Sequence, residues 1–212
     1  MRDKFATAHG ASAKIQMARD FSERLWNGHI EFIGISGSVS YDPKPEDDID
    51  IFLITKNGWL WPELVWAFIL RRILKMEEIC LSLSLDRKSA ARLFQGLNSL
   101  QEKDAMHVIP IKGHEFYLEL LRRRKTNAGN EMEPASSHNP NKVSPGTFMD
   151  LINIALFLLM SPLQKMKELR FNSLTVTSQP ELVYHIVMDP GRLILDSEKY
   201  RKLSESGEWA DD

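Results

Sequence analysis

Two short runs rich in β-branched side chains, residues 30–35 and 49–55, are separated by thirteen residues that include Gly37, Ser38, Pro43, Pro45 and the acidic triplet Glu46-Asp47-Asp48. The runs read as buried strands and the segment between them as a turn-rich loop. Two strands in tandem depart from the strand–helix alternation of a doubly wound fold. Around them, apolar spacing predicts a helix over residues 12–27, closed by Gly28, and another after Trp61. Pro62 suits the first turn of that second helix and Glu63 suits its dipole. Residues 78–85 alternate as a half-buried strand with Cys80, Ser82 and Ser84 on its polar face. Residues 106–111 predict a further short strand and residues 114–124 a helix.

The composition changes at residue 122. Residues 125–146 hold Asn, Ser, Pro and Gly with almost no large apolar side chains, as linkers do. Residues 148–171 then form a strongly apolar helix, expected to bend or break at Pro162. The expected organisation is α+β: a core over residues 1–121 built on a small mixed β-sheet with flanking helices, a polar linker over 122–146, and a mainly helical C-terminal region over 147–212.

With 43% hydrophobic residues among 212, the chain can build a core, which excludes general disorder. A formal charge of -2 gives no electrostatic case for wrapping around a nucleic acid. RNA as a partner rests on the run Arg122-Arg123-Arg124-Lys125 alone, which lacks interleaved aromatic rings and reads more plainly as a solvated helix end. The single cysteine, Cys80, excludes a disulfide framework and a cysteine-based zinc cluster and points to a reducing, cytoplasmic setting. Residues 1–14 lack the apolar stretch of a signal peptide. The most apolar run, residues 151–163, falls short of the roughly 20 residues that cross a bilayer, so a buried helix and no membrane partner are expected.

The chemistry concentrates between the first two strands. Strand alternation puts Asp48 and Asp50 on one side of the strand, with Asp47 turned away. Two such carboxylates repel unless a cation sits between them, and magnesium, or manganese in its place, accepts carboxylate, phosphate and water oxygens. Gly37 lets the backbone approach a bulky anion, and Ser38 adds a hydroxyl donor. Lys44, within the loop, is a candidate cation for the phosphates, against the plainer reading of a solvated lysine.

Gly37-Ser38, a nine-residue spacer, and Asp48-x-Asp50 followed by apolar residues resemble the DNA polymerase β-like nucleotidyltransferase superfamily. A longer likeness to an uncharacterised prokaryotic nucleotidyltransferase family touches Ile79-Cys80, residues 110–113, the Trp59-Leu60-Trp61 region and His185. The resemblance implies that Ser38 contacts a nucleoside triphosphate, ATP as the default, that Asp48 and Asp50 bind magnesium, and that a nucleoside monophosphate passes to an acceptor of unknown class. Catalytic members hold a third carboxylate on a neighbouring strand. Here Asp86 is the candidate, with Glu78 at the other end of that strand, and neither sits mid-strand. Two rivals stand beside this reading: a nucleotide sensor that has lost turnover, and an interaction module such as half of a toxin–antitoxin pair, bound through residues 148–163. Oligomeric state is open from the sequence. Cys80 reads as an inert thiol, His185 as a structural histidine, and Trp59, Trp61 and Trp66 as packing residues.

Overall fold

The computed structural model describes residues 2–40, 47–95, 105, 107–129, 148–175 and 183–197. Strand β2 (Ile49–Thr55) carries apolar side chains on both faces, so each face needs a cover. It pairs antiparallel with β1 (Ile30–Ser36), which places Ser36 opposite Asp50. On its other side it runs parallel to β3 (Ile79–Asp86), reached through the crossover helix α2 (Leu60–Ile73). Strand β4 (Ile109–Lys112) adds antiparallel to the free edge of β1. A C-terminal hairpin, β5 (Tyr184–Asp189) and β6 (Arg192–Ser197), joins through β6 antiparallel to β3. The sheet order is β4-β1-β2-β3-β6-β5. The structure is thus α+β with a six-stranded mixed sheet, and that sheet does not stop at residue 121, because the hairpin of the C-terminal region completes it.

One face is covered by α1 (Arg2–Leu25), α2 and the long helix α5 (Phe148–Thr175). Ile33, Ile35, Ile49, Ile51 and Leu53 point into this layer and meet Phe21, Leu25, Trp61 and Leu64. The other face is covered by α3 (Arg87–Leu93) and α4 (His114–Gly129), where Phe32, Phe52, Ile54, Leu83 and Leu85 meet Ala90, Phe94, Tyr117 and Leu120. Phe32 lies against both the Phe52 edge and the stacked Tyr117 ring.

Several sequence expectations shift. Helix α1 begins ten residues before the predicted start at residue 12. The basic run at residues 122–125 lies inside α4, which continues to Gly129, where a linker was expected. Pro162 does not break α5, which stays helical to Thr175. Nor is α5 the buried helix expected. It packs by one face, with Asn153 and Glu168 its buried residues among those described, and by length and composition Phe148–Ser173 could cross a membrane. The predicted polar face of β3 is split. Asp50 pairs with Cys80 but Phe52 pairs with Leu83, so β3 carries one extra residue. Alternation then restarts with Leu83 and Leu85 toward α3 and α4, and Ser84 is buried on the other face, opposite Leu193 of β6.

Asn153 ties α5 to the sheet. It is buried, accepts the Trp61 backbone N–H at 2.8 Å and donates to the Pro190 carbonyl at 2.8 Å. Trp61, fully buried, donates its indole N–H to the Asp189 carbonyl at 3.0 Å. The start of α2, the β5–β6 turn and α5 therefore share one set of hydrogen bonds. Asn153→Ala leaves a helix-start N–H and a carbonyl without this partner, and a loss of about 1–3 kcal/mol is expected in urea unfolding.

Candidate functional site

Where β1 stops and β2 begins, the sequence changes from apolar to Gly, Ser and Asp. Ser36 closes β1, and Gly37 follows with φ +65°. Residues Ser38–Ser40 form one 3-10 turn, closed by the Ser40 backbone N–H (3.0 Å) and hydroxyl (2.6 Å), both donating to the Gly37 carbonyl. Buried Val39 anchors the turn.

Asp50 sits directly over Gly37. A Cβ on Gly37 would lie 2.3 Å from Asp50 Oδ2, well inside contact distance. Glycine is therefore required twice here, once for the positive φ and once because the Asp50 carboxylate occupies the space a side chain would fill. The structure thus brings Gly37 and Asp50 together, with Asp48 two residues away on the same strand entry. Ser38 follows Gly37 at the head of the turn. Lys44 lies outside the described residues.

Charges of both signs surround Asp48. Its side chain reaches solvent, yet loss of water around the carboxyl raises its pKa above the ordinary value. Lys14 and Arg71 pull the pKa back, while Glu78 and Asp47 add to the rise. Lys14 comes from α1, is buried, and donates from Nζ to the Asp47 carbonyl, which fixes the chain just before Asp48. Arg71 reaches from α2 and donates to the Ile79 carbonyl at 2.8 Å. The Glu78 carbonyl accepts the Ile49 N–H at 2.7 Å, so Glu78 enters β3 level with the entry to β2. Sequence reasoning missed Lys14. The signal was present, since positions 14, 18, 21 and 25 share one helical stripe and three of them are buried apolar residues.

Asp86 is not part of this cluster. It pairs with Thr55 at the opposite end of β2, roughly 20 Å from Asp48 at strand rise. There its carboxylate accepts the Ser89 N–H at 2.7 Å and caps α3. The β3 position beside Asp50 is Cys80. Burial first, and then the charges of Asp50 and Asp48, push its thiol up to about 12, so it stays protonated at neutral pH. Among the described residues no three His, Cys, Asp or Glu side chains come close enough to hold a metal ion unaided. His185 lies on edge strand β5, with Nδ1 3.5 Å from the buried Glu168 carboxylate, and Trp59 stacks on His29 at 3.3 Å near the far end of β2.

Two substitutions test this geometry. Gly37→Ala is expected to cost about 1–2 kcal/mol from the left-handed backbone alone, with Asp50 displaced in addition, as read by urea unfolding and by NMR of the Asp50 carboxyl. Asp48 has a folded pKa above its unfolded value, so the folded state favours the protonated form and loses stability as pH rises through that window. Asp48→Asn is therefore expected to unfold at higher urea than the parent at pH 7, with the advantage gone below about pH 4.

Comparison with protein-family models, curated proteins and solved structures found no match.

Proposed function

We propose that the Gly37–Asp50 end of the sheet binds a nucleoside triphosphate with magnesium and transfers its nucleoside monophosphate to an acceptor, releasing pyrophosphate. The observation that carries this reading is the contact of the Asp50 carboxylate with the Gly37 backbone, which joins the Gly-Ser turn and the Asp-x-Asp strand into one site. Asp48 and Asp50 fit a magnesium ion that takes its other ligands from phosphate and water. They do not make a site with three carboxylates, so metal affinity is expected to depend on nucleotide. In such a site magnesium neutralises charge on the triphosphate and on the departing pyrophosphate. The chain's own share is to hold the phosphates at the Gly37-Ser38 turn and keep the two carboxylates aimed at them. Lys14 fixes the carbonyl of Asp47, and its positive charge favours phosphate beside an acidic pair.

A second reading is nucleotide binding without turnover, and Cys80 favours it. A thiol held protonated beside Asp50 cannot take a proton from an acceptor hydroxyl, and Asp86 is occupied elsewhere as a cap. Among the described residues, Glu78 is the acid placed to replace it. The acceptor class and the preferred base are left open by the site.

Titration calorimetry of the four common nucleoside triphosphates, with magnesium and with chelator, tests the reading on wild type and Asp50→Asn. Magnesium-dependent binding that weakens at least ~10-fold in the variant is expected, equivalent to about 1.4 kcal/mol. Pyrophosphate release that falls in Glu78→Gln would select transfer over sensing. Absence of binding by folded wild-type protein would overturn both readings.

A further inference from the structure

Helix α5 presents an apolar face that the rest of the described structure leaves open. It packs on the sheet and α2 through Asn153, Leu156, Phe157, Met160 and Glu168. The opposite side carries Phe148, Leu151, Ile154, Leu158, Leu159, Leu163, Met166 and Leu169, each 43–75% exposed, whereas Phe171, 41% exposed, lies on the packing side with its ring 5.0 Å from Tyr184. A stripe of this size needs a cover. Residues 130–147, which lead into the helix, bring only Met132 and Val143 as large apolar side chains.

The order of the exposed residues says what the cover is. The eight are symmetric about the point between Leu158 and Leu159. Phe148 and Leu169 lie equally far from it, as do Leu151 and Met166, Ile154 and Leu163, and the central leucines themselves. The exposed small residues Ala155 and Pro162 obey the same symmetry. Two copies of a helix packed antiparallel about a two-fold axis bring each residue against the one equally far beyond the axis. A stripe symmetric about its centre then matches large against large at every level, with the small pair beside the centre allowing an approach of ~8–10 Å. A lipid surface or an unrelated partner imposes no such symmetry. At on the order of 100 Å² of open surface for each side chain, the stripe offers roughly 800 Å², one partner's share of a stable interface.

The geometry points to a homodimer formed by antiparallel pairing of the α5 faces, with the two-fold axis passing between Leu158 and Leu159. The nucleotide reading plays no part in this. A membrane span is disfavoured because α5 holds the sheet through buried Asn153 and buried Glu168 and carries Lys165, Lys167 and Arg170 in its C-terminal half.

Sedimentation equilibrium of the whole chain is expected to give twice the chain mass at micromolar concentration, and Leu158→Glu is expected to halve it. These side chains are exposed, so the far-ultraviolet circular dichroism of the variant should match the parent. Cysteine pairs fix the direction. On a Cys80→Ser background, Leu151→Cys chains mixed with Met166→Cys chains are expected to cross-link with a short bismaleimide, and neither should do so alone. Cross-linking of Leu151→Cys to itself would overturn the antiparallel arrangement. A monomeric wild type would overturn the dimer, whether or not it floats with phosphatidylcholine–phosphatidylglycerol vesicles; flotation would assign the face to a membrane.

Discussion

Strand β2 has neither a free edge nor a free face. Its hydrogen-bonding groups are taken by β1 on one side and β3 on the other, and its side chains enter two separate apolar layers. An ionised carboxylate in such a strand would lose its water without gaining a partner, at a cost of several kcal/mol. Only the strand's entry, which Lys14 and Arg71 reach, can carry charge, and both Asp48 and Asp50 are there. The location of the candidate site thus follows from burial before any ligand is considered. The same logic places Asp86, at the other end, where a helix start supplies its hydrogen bond.

The cluster at that entry is a compromise between repulsion and support. Asp47, Asp48, Asp50 and Glu78 bring negative charge to one end of the sheet, and Lys14 and Arg71 answer from two different helices. Neither cation was drawn from the strands. Each arrives because the apolar stripe of its helix is docked on the sheet, so the packing of α1 and α2 sets the electrostatics of a site they do not line in sequence. The raised pKa of Asp48 reflects loss of water that Lys14 and Arg71 offset only in part.

The tandem strands, α2, β3 and the grouping of Gly37 with Asp48 and Asp50 were legible in the sequence because local composition decides them. What escaped was decided by contacts between distant residues. Alternation placed Cys80, Ser82 and Ser84 on one face because a period of two carries no sign of an extra residue, and the pairing of Leu83 with Phe52 overrode it. The apolar run at residues 151–163 suggested burial because hydrophobicity does not reveal how many neighbours are available, and among the described residues α5 has neighbours on one side only. Pro162 suggested a break, yet the helix on either side of it is long enough to absorb one missing hydrogen bond. The β5–β6 hairpin escaped, in a region expected to be mainly helical, because its strands gain their definition from β3, more than a hundred residues earlier.

The extra residue in β3 divides that strand into two segments of opposite phase. At its start, Cys80 keeps step with Asp50; beyond the irregularity, Leu83 and Leu85 keep step with Phe52 and Ile54. Removing one residue at position 81 or 82 would leave Cys80 opposite Asp50 and Leu83 opposite Phe52 with a single residue between them, so Leu83 and Leu85 would keep facing α3 and α4 and only the irregularity would be lost. Drift in the site end of β3 and drift in its core end are consequently independent. Each segment is held by its own partners in β2, so the residue beside Asp50 can be exchanged without shifting Leu83 and Leu85.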